Sequence, residues 1–283
     1  MRRVCVIGWP VGQSLSPVLH GFWLREHGIE GEYSAAAVPP DEFAAFIHAM
    51  PERGFVGANV TVPHKLEAFR LCAHVDAAAA AIGAANTLWF EGGVLHGTNT
   101  DGVGFVGNLD AEIPGWDAVR NSPAVIIGAG GSARAILWAL RERGFGTFRI
   151  VNRTRASAED VAQLAPGRAD IFPLDDLPGA LEGAGFVVNT STLGMAGAPP
   201  LDIEFTPVQP DAVAADIVYK PLETVFLKAA KARGLRTADG IGMLLHQAVP
   251  GFRKWFGVSP AVTPALRAEV IAARLRQDEA AAQ

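Results

Sequence analysis

Short apolar runs alternate with amphipathic stretches along most of the chain. Val4-Cys5-Val6-Ile7-Gly8, Tyr33 to Val38 and Phe55 to Val62 read as strands. Between them, Val18, Leu19, Phe22 and Trp23 fall on one helical face, and Phe43, Phe46, Ile47 and Met50 mark another helix. Ser16-Pro17 predicts an N-cap followed by proline at the first helical position, and Gly28 a C′ stop. Pro63-His64-Lys65 opens a further helix, and the alanine run at 77–81 suits another. Asn86 to Phe90 and Val94 to His96 form short strands around Glu91-Gly92-Gly93, a hairpin signal.

Trp116 to Pro123 is polar and turn-rich, and β-α-β patterning follows it. Strands are expected at Ala124 to Ile127, Phe148 to Val151, Phe186 to Val188 and Ala214 to Val218, with a helix from about Ser132 to Arg143. In the tail, one helix begins near Gly242 and carries Leu244, Leu245 and Gln247. Pro250 removes a backbone donor inside it, so a kink or early end is expected. Thr263-Pro264 caps the last helix, and Asp278 to Gln283 should fray. The alternation predicts an α/β fold built on mainly parallel sheets.

With 283 residues, 49% hydrophobic and 19% charged, the chain can bury two modest cores, which excludes disorder as its main state. A net charge of −5 disfavours bulk binding to nucleic acid. No stretch approaches the roughly 20 apolar residues that span a bilayer. The apolar start stops at Trp9-Pro10, too short for a signal-peptide core. Cys5 and Cys72 are the two cysteines, which excludes a disulfide scaffold and suits a reducing, cytoplasmic compartment. The seven histidines show no metal-ligand spacing, so no metal is expected.

Val125-Ile126-Ile127-Gly128-Ala129-Gly130-Gly131-Ser132-Ala133 is a strand, a glycine turn and a helix start. Its G-x-G-x-x-A pattern is a variant of the dinucleotide fingerprint. Gly128 permits the tight turn, Gly130 the approach of a pyrophosphate, and Ala133 close helix–strand packing. An NAD site places a carboxylate at the end of the next strand to hold the ribose 2′-hydroxyl. This chain has Val151-Asn152-Arg153-Thr154-Arg155 there, whose guanidiniums suit a 2′-phosphate, so NADP(H) is favoured.

Ser14 and Ser16 precede a helix N-terminus, where they are either caps or a carboxylate site. In Asn59-Val60-Thr61-Val62-Pro63-His64-Lys65, a strand end presents Thr61 and a helix start presents Lys65. A lysine there opposes the helix dipole and calls for a partner or a function. If the loops at Asn86-Thr87 and Asn99-Thr100-Asp101-Gly102 converge with it at the strand ends, Lys65 can pair with Asp101 beside Asn86 and Thr61. Singly, each residue reads more readily as a turn or cap feature than as a catalyst.

Taken in order, these motifs resemble the shikimate dehydrogenase family over nearly the whole chain. They are Ser14-Leu15-Ser16-Pro17, Asn59 to Lys65, Gly83-Ala84-Ala85-Asn86-Thr87-Leu88, Asn99 to Gly102, Gly128 to Ala133 and Asn152-Arg153-Thr154. Asp216-Ile217-Val218-Tyr219-Lys220-Pro221, Asp239-Gly240-Ile241-Gly242-Met243-Leu244 and Gln247 complete the set. The resemblance implies reversible NADPH-dependent reduction of 3-dehydroshikimate to shikimate, in the chorismate route to aromatic amino acids. It implies Lys65 and Asp101 as the catalytic pair, Ser14, Ser16 and Tyr219 on the substrate carboxylate, and Thr61, Asn86 and Gln247 on ring hydroxyls. For the cofactor it implies Gly128, Ala129, Gly130, Gly131, Ser132 and Ala133 at the pyrophosphate. Asn152, Arg153, Thr154 and Arg155 would hold the adenosine phosphate, Ile217, Gly240 and Met243 the nicotinamide, and Asp76 matches an acidic position linked to the cofactor. His64 and His246 are expected to be bystanders.

The expected architecture is a substrate-binding α/β domain at 1–103 plus 241–283 and a Rossmann-like NADP-binding domain at 104–240, with an interdomain cleft. The partners are small molecules, without nucleic acid or membrane, in a monomer or homodimer. The family often has Asn-Pro and a His before the first serine, where this chain has Trp9-Pro10-Val11-Gly12-Gln13. The rival readings are a quinate/shikimate dehydrogenase of broader substrate or NAD use and a ligand-sensing Rossmann module. Likeness to methylenetetrahydrofolate dehydrogenases is a third, which the paired serines and Asp101 fit poorly.

Overall fold

The structure is a computed structural model that describes residues 1–281. The chain divides into two compact units, Met1–Thr100 with the segment from Gln247 onward, and Asp101–His246.

The first unit begins β1 (Arg2–Gly8), α1 (Ser16–Glu26), β2 (Gly31–Ala37), α2 (Phe43–Ala49), β3 (Phe55–Val60) and α3 (Lys65–Leu71). It continues through β4 (His74–Val75), α4 (Ala77–Ile82), β5 (Thr87–Glu91) and β6 (Val94–Thr98). The sheet order is β2-β1-β3-β5-β6-β4. β1 pairs in parallel with β2 and β3, whereas β5 runs antiparallel to both β3 and β6. The sheet is therefore mixed, because Gly92 and Gly93, both at positive φ, close β5 and β6 into the expected hairpin.

The second unit holds α5 (Asp101–Glu112), β7 (Ala124–Ile127), α6 (Gly131–Glu142), β8 (Phe148–Val151), α7 (Arg155–Ala162) and β9 (Ala169–Phe172). After them come α8 (Leu177–Leu181), β10 (Phe186–Asn189), β11 (Val213–Asp216), α9 (Val225–Ala232) and β12 (Arg236–Ala238). Every pairing in the sheet β12-β11-β10-β7-β8-β9 is parallel. That is the doubly wound Rossmann order, with its switch between β7 and β10. Ala124, Ile126, Phe148, Ile150, Phe186 and Val188 pack into a core on one face. Val125, Ile127, Val151, Val187 and Ala214 pack into a core on the other. Burial on both faces is why these strands read as continuous apolar runs.

Two helices end the chain, α10 (Gly240–Phe256) and α11 (Pro264–Ala281). α10 continues through Pro250 instead of stopping there. Phe252, Trp255 and Phe256, all beyond the proline, are buried, and that burial outweighs one lost backbone bond. The frayed end expected from Asp278 is instead helical to Ala281, and Arg274, itself buried, reaches Asp278 one turn on; the last two residues lie outside the described ones. Ser16 is not the N-cap of α1, since Leu15 holds that position without a side-chain bond. Ser14 Oγ instead accepts the Ser16 amide at 3.3 Å. The Gly28 stop is present, at φ +61°. β3 ends at Val60 and β11 at Asp216, each two residues short of the expected strand.

Gly57 in β3 lies against Trp255, whose Nε1 donates to the Leu88 carbonyl at 2.8 Å. A Cβ at Gly57 would collide with both the indole nitrogen and that carbonyl. Gly57→Ala is expected to cost about 2–4 kcal/mol through overpacking and the broken hydrogen bond. Urea unfolding should show a lower midpoint at unchanged slope; an unchanged midpoint would refute the contact's importance.

Candidate active site

In the first unit, polar residues gather at one end of the sheet because register puts them there. Asn59 of β3 lies opposite Thr87 of β5, and Thr87 lies opposite Thr98 of β6. The Thr61 amide bonds the Ile7 carbonyl at 2.9 Å, and a Cβ at Gly8 would lie 2.5 Å from Thr61 Cγ2. Gly8 thus lets Thr61 close against the end of β1. Lys65 is the first residue of α3 and half-buried. Its backbone carbonyl accepts the Ala85 amide at 2.9 Å, which brings the start of α3 beside Asn86. Neighbouring His64 is buried, stacks on Phe43 and contacts the Val38 carbonyl through Nε2 at 2.8 Å. It is a packing group.

Asn86 is buried and is the hub of this end. Its Oδ1 accepts from the Thr100 amide at 2.9 Å, the Thr87 hydroxyl at 3.0 Å and the Thr100 hydroxyl at 3.2 Å. Its Nδ2 donates to Gln247 Oε1 at 3.3 Å. The structure therefore joins two of the proposed ring-binding residues, 161 positions apart, and Pro250 does not displace Gln247. Ser14 and Ser16 are adjacent and half-buried at the start of α1. Asp76 plays a structural part, capping α4 through the Ala79 amide at 2.9 Å and accepting from the Thr98 hydroxyl at 2.5 Å.

In the second unit, the ends of β7, β8 and β10 are level, with Ile127 opposite both Val151 and Asn189. A pocket of about 210 Å³ opens there, lined by Gly128, Asn152, Arg153, Thr154, Ser191 and Thr192 among others. Gly128 has φ +108°, and a Cβ on it would lie 2.8 Å from Thr190 Oγ1. Only glycine fits that turn. Open space lies above Gly130 and Gly131, and α6 starts at Gly131 with no side-chain cap. Its first-turn amides suit a pyrophosphate. Ala129 and Ser132 flank that turn half-buried, and Ala133 is buried in the core. Asn152, Arg153 and Thr154 line the pocket, but Arg155 does not. It is paired with Glu159 at 2.9 Å, one helical turn along α7. The residues present fit a dinucleotide carrying a 2′-phosphate, with Arg153 as the cation at the pocket wall.

Ile217, half-buried, and Met243, buried, pack with the same core. Gly240 lies so close to the Ile217 carbonyl that a Cβ would collide with it. The sequence reading missed what holds this loop. Asp216, buried at the end of β11, accepts from Asn189 Nδ2 at 2.9 Å, the Val218 amide at 2.9 Å and the Thr224 hydroxyl at 2.6 Å. It thereby ties the ends of β10 and β11 to α9, on either side of Tyr219. Burial pushes its carboxyl up to about 6, against the pull of those three hydrogen bonds. Asn59, Thr87 and Thr100 were also passed over as site residues, although all three stand inside the motifs. In the strand Asn59 to Thr61, alternation puts Asn59 on the Thr61 face, a signal that could have found it. Asp101 begins α5 and is buried.

A Rossmann unit with a dinucleotide turn, in a chain whose other unit presents hydroxyls, amides and a lysine, defines a dinucleotide-dependent oxidoreductase. Residues 6–88 match the model of the shikimate dehydrogenase substrate binding domain, and residues 114–195 that of shikimate/quinate 5-dehydrogenase. The NADP(+) shikimate dehydrogenase of Rhodopseudomonas palustris strain TIE-1 is 54% identical over 95% of this chain and 96% of its own. That of Nitrobacter hamburgensis is 55% identical over 95% and 93%. Among solved structures, shikimate 5-dehydrogenase of Thermus thermophilus, in complex with NADP(H) and shikimate, superposes with a TM-score of 0.82. It is 36% identical, covering 98% of this chain and 99% of its own. Quinate dehydrogenase of Corynebacterium glutamicum, in complex with NAD, gives 0.87 at 27% identity over 95% and 98%. The chain belongs to the shikimate dehydrogenase family. No helix among the described residues is long and apolar enough to cross a membrane, and no group of three or more His, Cys, Asp or Glu side chains among them could hold a metal ion.

The Asp216 carboxyl titrates near 3.8 when unfolded and near 6 when folded. Between those values the folded state keeps a proton that the unfolded state has released. Its contribution to stability is thus present at low pH and lost as pH rises through about 6. Relative to Asp216→Asn, the wild type should lose about 2–3 kcal/mol of unfolding free energy between about pH 4 and pH 7. Denaturant titrations across that range check it, and parallel profiles would contradict the assignment.

Proposed function

We propose that this chain catalyses the reversible NADPH-dependent reduction of 3-dehydroshikimate to shikimate, a step toward chorismate and the aromatic amino acids. The observation that carries this is the convergence of Asn86 and Gln247 beside the start of α3, in a chain whose second unit offers a pocket with Arg153 and no carboxylate at the end of β8. Ser14 and Ser16, with Tyr219, bind the substrate carboxylate, and Thr61, Asn86 and Gln247 bind its ring hydroxyls. Such a set rejects analogues that leave its polar groups unpaired.

Gly128, Ala129, Gly130, Gly131, Ser132 and Ala133 form the pyrophosphate turn, and Asn152, Arg153 and Thr154 hold the phosphorylated ribose. Ile217, Gly240 and Met243 form the nicotinamide wall. Arg155 and Asp76 serve the cofactor indirectly, by steadying α7 and α4. The bound cofactor supplies the hydride that adds to the substrate carbonyl carbon. Lys65 Nζ donates to the ketone oxygen and hands it a proton as negative charge develops there. Asp101 pairs with Lys65 and orients it toward the ketone oxygen. In the oxidative direction neutral Lys65 takes the hydroxyl proton. The free thiols of Cys5 and Cys72 suit a cytoplasmic setting, for a monomer or homodimer.

Reduced-cofactor absorbance with shikimate or quinate, each with NADP or NAD, tests the reading. Turnover confined to shikimate with NADP is expected; turnover of quinate or with NAD would move the chain to a broader member of the family. No turnover of either would refute the reading. Lys65→Ala should lower kcat by about a thousandfold with little change in either KM. Arg153→Ala should raise the KM for NADP by about tenfold and leave the KM for shikimate within about twofold, while Arg155→Ala stays within about twofold for both. Equal losses in both arginine variants would contradict the division between them.

A further inference from the structure

Tyr33 stands in β2, outside every motif that points to the site, and is buried. Its hydroxyl donates to Asn59 Oδ1 at 2.6 Å. The Asn59 amide is fixed by its bond to a backbone carbonyl, which can only accept, and the Tyr33 hydroxyl satisfies the oxygen left behind. Asn59 Nδ2 then donates to the Asn86 backbone carbonyl at 3.2 Å and to Thr87 Oγ1 at 3.1 Å. The Thr87 hydroxyl donates to Asn86 Oδ1 at 3.0 Å and lies 3.4 Å from Thr100 Oγ1, which bonds the same oxygen. With its oxygen occupied, Asn86 presents its Nδ2, which donates to Gln247 Oε1. Gln247, its oxygen taken in turn, keeps its amide hydrogens for another acceptor.

We propose that Tyr33 is a positioning residue that anchors the buried end of this hydrogen-bond chain, holding Asn59 and Thr87 in place so that Asn86 and Gln247 face the substrate as donors and select ring hydroxyls that accept. This rests on the reading of Asn86 and Gln247 as ring-hydroxyl binders.

The surroundings keep Tyr33 in that role. His20, fully buried, stacks on the phenol with ring centroids 3.9 Å apart and planes within 9°. Burial pushes the His20 imidazole down to about 3, so the stacked ring is neutral. Burial also raises the Tyr33 phenol well above its ordinary value, so the proton that starts the chain stays on.

The test compares Tyr33→Phe, Thr87→Val, their double variant and Asn86→Ala, with shikimate and a ring-deoxy analogue lacking one hydroxyl. Tyr33→Phe and Thr87→Val should each raise the KM for shikimate by about fivefold and leave kcat and the KM for NADP within about twofold. The double variant should be no worse than either single one, because both interrupt one chain. The preference for shikimate over its deoxy analogue should narrow in all three. If Asn86→Ala raises the KM for shikimate and Tyr33→Phe does not, the positioning role fails and the site reading stands. If Asn86→Ala changes nothing, the site reading fails and takes the proposal with it. Additive losses, or a fall in kcat with both KM values disturbed and a lower melting temperature, would reduce Tyr33 to packing and overturn the proposal.

Discussion

A single side-chain oxygen organises the polar end of the first unit. Asn86 Oδ1 accepts three hydrogen bonds inside the protein, from Thr87 and from both donors of Thr100. A buried amide oxygen left without donors would be costly, so these partners are held wherever Asn86 is held. The consequence reaches outward. The Val60 amide bonds the Asn86 carbonyl and the Asn86 amide bonds the Thr98 carbonyl, so β3, β5 and β6 must end level. Lys65, tied to Ala85, starts its helix beside that level edge. Amide, lysine and hydroxyl are thus brought together by backbone pairing before any side-chain attraction between them is counted.

The second unit solves a different problem with different means. Its pocket is shaped less by side-chain bonds than by backbone that has nowhere else to go. Gly128 turns tightly against Thr190, whose hydroxyl returns to the Ile127 carbonyl at 2.8 Å. The chain leaves β7 and β10, the level strands either side of the switch, toward opposite faces of the sheet, and the first-turn amides of α6 face the gap between the two connections. Asp216 supplies the one expensive element, a buried carboxyl answered by neutral donors alone among its hydrogen bonds. Its return is a loop fixed at three points.

Local chemistry explains what could be read from the chain. The glycine turn at 128–131, the two-residue turn at Gly92-Gly93 and the continuous apolar runs of the second sheet are each dictated by backbone geometry within a few residues. What escaped reading depends on distance in sequence. Tyr33 and Asn59 meet because β1 holds β2 and β3 on its two sides, which no local pattern reveals. Pro250 predicts a kink or an early helix end; the early end is absent, because Phe252 and Trp255 are buried beyond it and carry α10 through. Ser16 looked like a cap because serine before a helix so often is one. Ser14 takes the Ser16 amide instead, and the helix starts one residue earlier than capping preferences suggest. Arg155 stands with Arg153 just past the end of β8, and the first turn of α7 separates them by giving Arg155 to Glu159.

The first unit is assembled from both ends of the chain, whereas the second is one continuous stretch. Synthesis on a ribosome therefore completes the second unit while the first still lacks its last two helices. Until those helices emerge, Trp23 has no Ala261 carbonyl to bond, Gly57 no indole to receive, and His20 no Phe252 to pack on. A nascent chain carries those apolar surfaces bare while the whole of the second unit is made. Such surfaces are what chaperones bind and what drives aggregation at high expression. Truncations that remove the last helices, though far in sequence from every strand of the first sheet, strike the half of the molecule that was made first.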